Sequence, residues 1–198
     1  MAIRVLEFLD PATYRRVPWK NGGGVTTDIA GEYLPGAEPG GWDGMVWRLS
    51  RTRIETPGPF SDLPGYDRLL AVIDGRGLVL HAKGQPPLDV HAPFRAVRFA
   101  GEWPIDSELT EGPVGVLNLL GDRTKISIDL SFIAAAAQTT LPPAPAILLA
   151  LSPARLRLDD QAVALPRDGA VRITGPGVLS VDDGLMAVAT LGAAMPAA

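Results

Sequence analysis

The chain has 198 residues, 46% of them hydrophobic, with 22 Gly, 19 Pro, no Cys and a formal net charge of -4. That charge speaks against a nucleic-acid partner held by a basic surface, and the lack of thiols excludes disulfides, thiolate nucleophiles and cysteine metal sites while fitting a cytoplasmic setting. No apolar run is long enough to span a bilayer, so no membrane partner is expected, and dense Gly and Pro among abundant apolar residues favour an all-β fold of short strands.

Ile3 to Leu9 alternates as a first strand, with Arg4 and Glu7 interrupting any apolar leader. Pro11 to Val17 reads as a helical turn ended by Pro18. The next stretch, Pro18-Trp19-Lys20-Asn21-Gly22-Gly23-Gly24-Val25-Thr26-Thr27, is the most unusual in the chain. Three consecutive glycines lose more backbone entropy on folding than any other triplet, and they permit positive φ and close approach by a backbone or a ligand. Lys20 supplies a cation and Asn21 an amide beside that gap, which makes Lys20, Asn21, Gly22 and Gly23 candidate ligand contacts. The alternative is a turn feeding a strand from Val25. A phosphate-cradling P-loop is excluded because Lys20 precedes the glycines, and a dinucleotide fingerprint because β-branched residues follow them.

Val25 to Tyr33 is expected as a strand and Leu34 to Asp43 as a surface loop. In Met45-Val46-Trp47-Arg48-Leu49-Ser50-Arg51 a period of two sorts Met45, Trp47 and Leu49 to one face and Val46, Arg48 and Ser50 to the other. The second face looks either into a lumen or out to solvent. Thr56 to Asp67 is a Pro- and Gly-rich loop. Arg68 to Ile73 is a strand, Asp74-Gly75 a hairpin turn and Gly77 to His81 the returning strand. Asp89 to Ala92, Ala96 to Phe99 and Val114 to Leu120 continue the series, and Lys125 to Phe132 alternates throughout.

Composition then shifts. Residues 134–145 read as a connector, residues 146–192 as a second, smaller set of strands completed by N-terminal ones, and residues 193–198 as a tail. Residues 1–133 hold the N-terminal strands and a first barrel-like half with all the candidate chemistry.

Four stretches in order, Pro18 to Thr26, Trp47-Arg48-Leu49-Ser50, Gly58-Pro59-Phe60-Ser61 with Pro64-Gly65-Tyr66-Asp67-Arg68, and Asn118-Leu119, resemble the HutD/Ves family. The likeness runs from about residue 14 to about residue 124. It implies a bicupin, two double-stranded β-helix barrels in one chain, attached to histidine utilisation in bacteria. It also implies binding of a pathway intermediate such as N-formylglutamate that restrains the pathway without catalysing a step. Leu119-Leu120-Gly121-Asp122-Arg123 departs from the family pattern, which has Met and a basic residue there.

Cupin enzymes hold a metal through His-x-His, a Glu and a distant His, whereas this chain has only His81 and His91 and no such motif. A triad of both histidines with Asp89 is the remaining metal option, and Arg68 would repel a divalent ion; neither metal nor other cofactor is expected. On a cupin model Arg48, Ser50, Ser61, Arg68 and Asn118 line an anion pocket, with Lys20 as a point charge. Arg48 offers a planar fork for a carboxylate, and buried cations need an anion, either a small carboxylate metabolite or a protein carboxylate such as Asp67. Three functions follow. The first is a non-enzymatic regulatory protein that binds a small acid. The second is a metal-independent isomerase, lyase or hydrolase using His81, His91 or Lys20 as base. The third is an interaction protein that pairs into a homodimer.

Overall fold

The computed structural model describes residues 3–19 and 22–194; the expected contacts Lys20 and Asn21, and residues 195–198 of the expected tail, lie outside them. Nineteen strands occur among the described residues. In chain order they are β1 (Arg4–Leu9), β2 (Arg15–Pro18), β3 (Gly24–Tyr33), β4 (Met45–Ile54), β5 (Gly58–Pro59), β6 (Tyr66–Asp74) and β7 (Leu78–Ala82). Next come β8 (Leu88–Val90), β9 (Val97–Ala100), β10 (Ile105–Leu109), β11 (Val114–Asp122), β12 (Ile126–Ala134) and β13 (Ala137–Leu141). The last are β14 (Ala146–Ala150), β15 (Ala154–Leu158), β16 (Gln161–Leu165), β17 (Ala170–Thr174), β18 (Gly177–Asp183) and β19 (Leu185–Ala193). Among the described residues no helix is long and apolar enough to cross a membrane.

The chain forms two all-β units of the cupin kind. One comprises Arg15–Ile128; the other joins the chain up to Tyr14 to Asp129–Ala193. The division thus falls within β12, five residues before the boundary expected at 133. In the second unit a five-stranded sheet runs β1-β17-β14-β19-β12 and a four-stranded sheet β13-β18-β15-β16. β1 is tied there by antiparallel pairing from Arg4 opposite Thr174 to Leu9 opposite Ala170. Tyr14 donates its hydroxyl to the Asp168 carbonyl at 2.8 Å, and burial pushes its pKa well above the usual phenol value. The core of this unit is an apolar cluster that includes Leu148, Leu156, Val171 and Leu179.

The Arg15–Ile128 unit carries the candidate chemistry. Its six-stranded sheet runs β2-β3-β4-β11-β6-β9 and its four-stranded sheet β5-β10-β7-β8. Ile54, Leu70 and Val72 of the larger sheet pack with Leu78, Leu80, Val90 and Ile105 of the smaller one, which closes one end of a sandwich-like barrel. Both faces of β4 are buried: Met45, Trp47 and Leu49 on one, Arg48, Ser50 and Thr52 on the other. The polar face therefore does not look out to solvent.

Three local expectations are corrected, and one strand appears where none was expected. Pro11 to Val17 is not one helical turn: Pro11–Thr13 forms a single 3-10 turn capped by the Asp10 carboxylate at 2.9 Å, and β2 follows. Asp74-Gly75 is not a hairpin turn, because β6 and β7 belong to different sheets, and Gly75 at φ +93° lets the chain cross from one to the other. β10 was not legible, since Ile-Asp-Ser-Glu-Leu places a serine at its central inward position. Ser107 sits there because its hydroxyl exchanges hydrogen bonds with the Gly58 backbone at 2.9 and 3.2 Å. Residues 134–145 are more than a connector: Ala136 turns at φ +60° and β13 pairs with β18.

Candidate functional site

A cavity of about 550 Å³ opens on the inner face of the six-stranded sheet, within the usual range for small-molecule sites, roughly 300–1,000 Å³. Antiparallel register builds its floor. Asp28 of β3 lies opposite Ser50 of β4, and Ser50 lies opposite Asn118 of β11, so three polar residues from distant parts of the chain form one row. Arg48 and Arg68 both face Leu120, on either side of it. Thr26 pairs with Thr52, and their hydroxyls sit 3.3 Å apart while Trp19 donates its indole N–H to Thr26 at 2.9 Å.

The two arginines have different surroundings. Arg48, 5% exposed, donates from Nη1 to the Gly40 carbonyl at 3.2 Å, and its guanidinium lies 4.2 Å from the Trp42 ring centre. Its Nε is 3.7 Å from Asp28 Oδ1, beyond hydrogen-bonding reach, while Asp28 Oδ2 accepts from Arg15 at 3.2 Å. Arg68, 6% exposed, donates from Nη1 to the Ser61 carbonyl at 3.3 Å and stacks near Phe60 and Phe99. No carboxylate pairs with it among the described residues. Burial, and then the charge of Arg48, push its pKa down to about 10. Arg68 Nε, Ser50 Oγ, Asn118 Oδ1 and Asp28 Oδ1 are buried without a hydrogen-bond partner among the described residues. Such groups are costly unless something polar meets them.

Of the expected contacts, Arg48, Ser50, Ser61, Arg68 and Asn118 all line this cavity, Ser61 meeting Arg68 through its carbonyl. Gly22 and Gly23 do not line it. Gly22 turns at φ +71° and donates to the Trp19 carbonyl at 3.0 Å, and the Gly23 carbonyl accepts from Glu55 at 2.9 Å. The close approach belongs to Gly24, where a Cβ would lie 2.4 Å from the Arg53 carbonyl and 3.2 Å from the Trp19 ring. Asp67 is not the internal counter-ion: it binds Arg98 at 2.8 Å and Arg123 at 2.7 Å. His81 and His91 occupy exposed positions and bond separately to Glu108 and to Asp89. They do not converge with Asp89 into a triad, and no group of three metal-ligating side chains forms among the described residues.

Sequence reasoning missed Asp28, Trp42 and Trp19 as cavity residues. For Asp28 a signal existed: Thr26 and Asp28 are two apart on a strand, the same period that marked Arg48 and Ser50.

Fold and site together define a cupin whose first barrel has an arginine-lined, polar-floored cavity. The chain belongs to the HutD family, whose model matches residues 11–187. An uncharacterized 21.2 kDa protein in the hutC 3' region of Pseudomonas putida is 39% identical over 115 residues, covering 58% of this chain and 57% of that protein. Protein Ves of Cronobacter sakazakii is 32% identical over 123 residues, 61% of this chain and 62% of its own length, so the match spans about three fifths of these relatives. HutD from Pseudomonas fluorescens SBW25, in a structure described for a formate condition, superimposes with a TM-score of 0.78 at 24% identity, covering 97% of this chain and 99% of that one. A conserved protein of unknown function from Pseudomonas aeruginosa PAO1 gives the same score and identity.

Proposed function

We propose that the chain is a small-acid-binding cupin of the HutD family, taking a carboxylate metabolite in the barrel of its Arg15–Ile128 unit and releasing it unchanged. The observation that carries this reading is Arg68, a buried cation facing a cavity without a protein carboxylate beside it. Arg48 adds a second guanidinium across Leu120, already shared with Asp28, and Asn118 and Ser50 add neutral hydrogen-bonding groups in the adjacent row. Release without turnover is favoured because both histidines bond to surface carboxylates instead of facing the cavity. N-Formylglutamate is the candidate ligand through the family's association with histidine utilisation, and formate is the smallest acid to try beside it.

The test is thermal unfolding with formate, N-formylglutamate, glutamate, urocanate and histidine, for the wild-type protein and Arg68→Met. An acid at a hundred times its Kd stabilises the wild type by about 2.7 kcal/mol. The variant is expected to show no such gain, and the acid should be recovered chemically intact. Stabilisation that survives in Arg68→Met would remove the basis of the proposal.

A further inference from the structure

Building on that reading, we infer that Asp28 restricts the cavity to acids that also carry an O–H or N–H donor. The argument is a census of hydrogen-bonding partners. A carboxylate ligand only accepts, so it can satisfy Arg68 Nε and leave the acceptors of the floor unmet. Those acceptors are Asp28 Oδ1 and Asn118 Oδ1, neighbours of Ser50 along one row, each buried without a partner among the described residues. Asn118 can turn its amide over and donate instead. Asp28 cannot, because an ionised carboxylate has no donor to offer.

Nor do its neighbours relieve Asp28 Oδ1. Arg48 Nε stands 3.7 Å away, and Arg15 is engaged by the other oxygen, Oδ2. Ser50, directly opposite in register, forms no hydrogen bond with it. A ligand with its carboxylate at Arg68 of β6 and a hydroxyl or amide N–H reaching Asp28 of β3 meets the unpaired cation and the unpaired acceptor together. An acid of the same shape lacking the donor leaves the buried Asp28 Oδ1 without a hydrogen bond, which is how sites built for a hydroxyl or N–H reject the analogue without one.

Two matched pairs isolate this effect by titration calorimetry: N-acetylglycine against levulinate, where CH2 replaces N–H, and lactate against propionate. The wild type is expected to bind the donor-bearing member about tenfold more tightly or better, the size of one hydrogen bond to a charged group. In Asp28→Asn, which keeps the shape and weakens the acceptor, the ratio should shrink toward unity while both acids still bind. If the wild type binds both members of each pair equally, Asp28 selects nothing, although the acid site stands. If Asp28→Asn discriminates as well as the wild type, the donor is read elsewhere and the inference is overturned. If the wild type binds none of the four, the acid-site reading falls and takes this inference with it. The wild-type comparison stands without the variant, so a poorly folding Asp28→Asn would not shield the inference.

Discussion

Arg68→Met should make the ligand-free protein more stable. Desolvation and the nearby Arg48 lower the Arg68 pKa from the ordinary guanidinium value to about 10, which at 1.36 kcal/mol per unit is a penalty of about 3 kcal/mol on its charged form. Methionine keeps much of the length, removes the charge, and gives up one hydrogen bond, the 3.3 Å contact to the Ser61 carbonyl, worth about 1 kcal/mol. The net is about 2 kcal/mol gained, a rise in Tm of roughly 4–8 °C for a chain of this size. Folding lowers the pKa of this cation, so the unfolded chain holds the proton more tightly. The penalty is therefore fully present at neutral pH and fades only as pH rises through about 10 toward the ordinary guanidinium value. Circular dichroism melts at pH 7 in a chloride-only Tris buffer give the comparison. A fall in Tm of several degrees in Arg68→Met would refute the reasoning, since it would mean that the guanidinium is satisfied within the fold.

Three further expectations concern the surrounding structure. Gly24→Ala drives a Cβ to within 2.4 Å of a backbone carbonyl, whereas Gly22→Ala meets nothing within 4 Å and is strained only by its φ of +71°; urea unfolding should show a loss of about 1–3 kcal/mol or more for Gly24→Ala against about 1–2 kcal/mol for Gly22→Ala, and the reverse order would contradict the close-approach argument. The Asp159 carboxylate accepts from the backbone N–H of Val178 at 2.9 Å and of Ile3 at 3.0 Å, which holds its pKa below the usual carboxylate value. The stability it adds is present above the ordinary value of 3.8 and is lost as pH falls through the lower folded value, so the Tm gap between wild type and Asp159→Asn should close in acid; a gap independent of pH would dismiss this role. Finally, the double variant His81→Asn, His91→Asn should bind the stabilising acid within twofold of the wild-type affinity, because both rings are exposed and line no part of the cavity. Loss of binding would place a histidine in the site after all.

Much of the fold was legible because local rules govern it. Period-two alternation located strands such as β4 and β12, an apolar run between turns located β11, and Gly and Pro marked the gaps. Where a strand was missed, as at β10 and β13, the inward positions were held by serine or by small and polar residues without an apolar rhythm.

The same alternation showed that Arg48 and Ser50 share a face, but a strand's sequence cannot say whether that face meets water or a lumen. Strand pairing over long separations decided it. The β3–β4–β11 register sets Asp28, Ser50 and Asn118 side by side, though 90 residues separate the first from the last. The counter-ion of Arg48 was likewise beyond local reach: Asp67, adjacent to Arg68 in sequence, turns to Arg98 and Arg123, while Asp28 reaches the cavity through its place on the neighbouring strand. Neighbouring residues along a strand point to opposite faces, so proximity in sequence separates such side chains and register across strands brings distant ones together. The sequence by itself determined most of the strands and the identity of the cations; tertiary structure decided which of these side chains were buried, and what stood beside them.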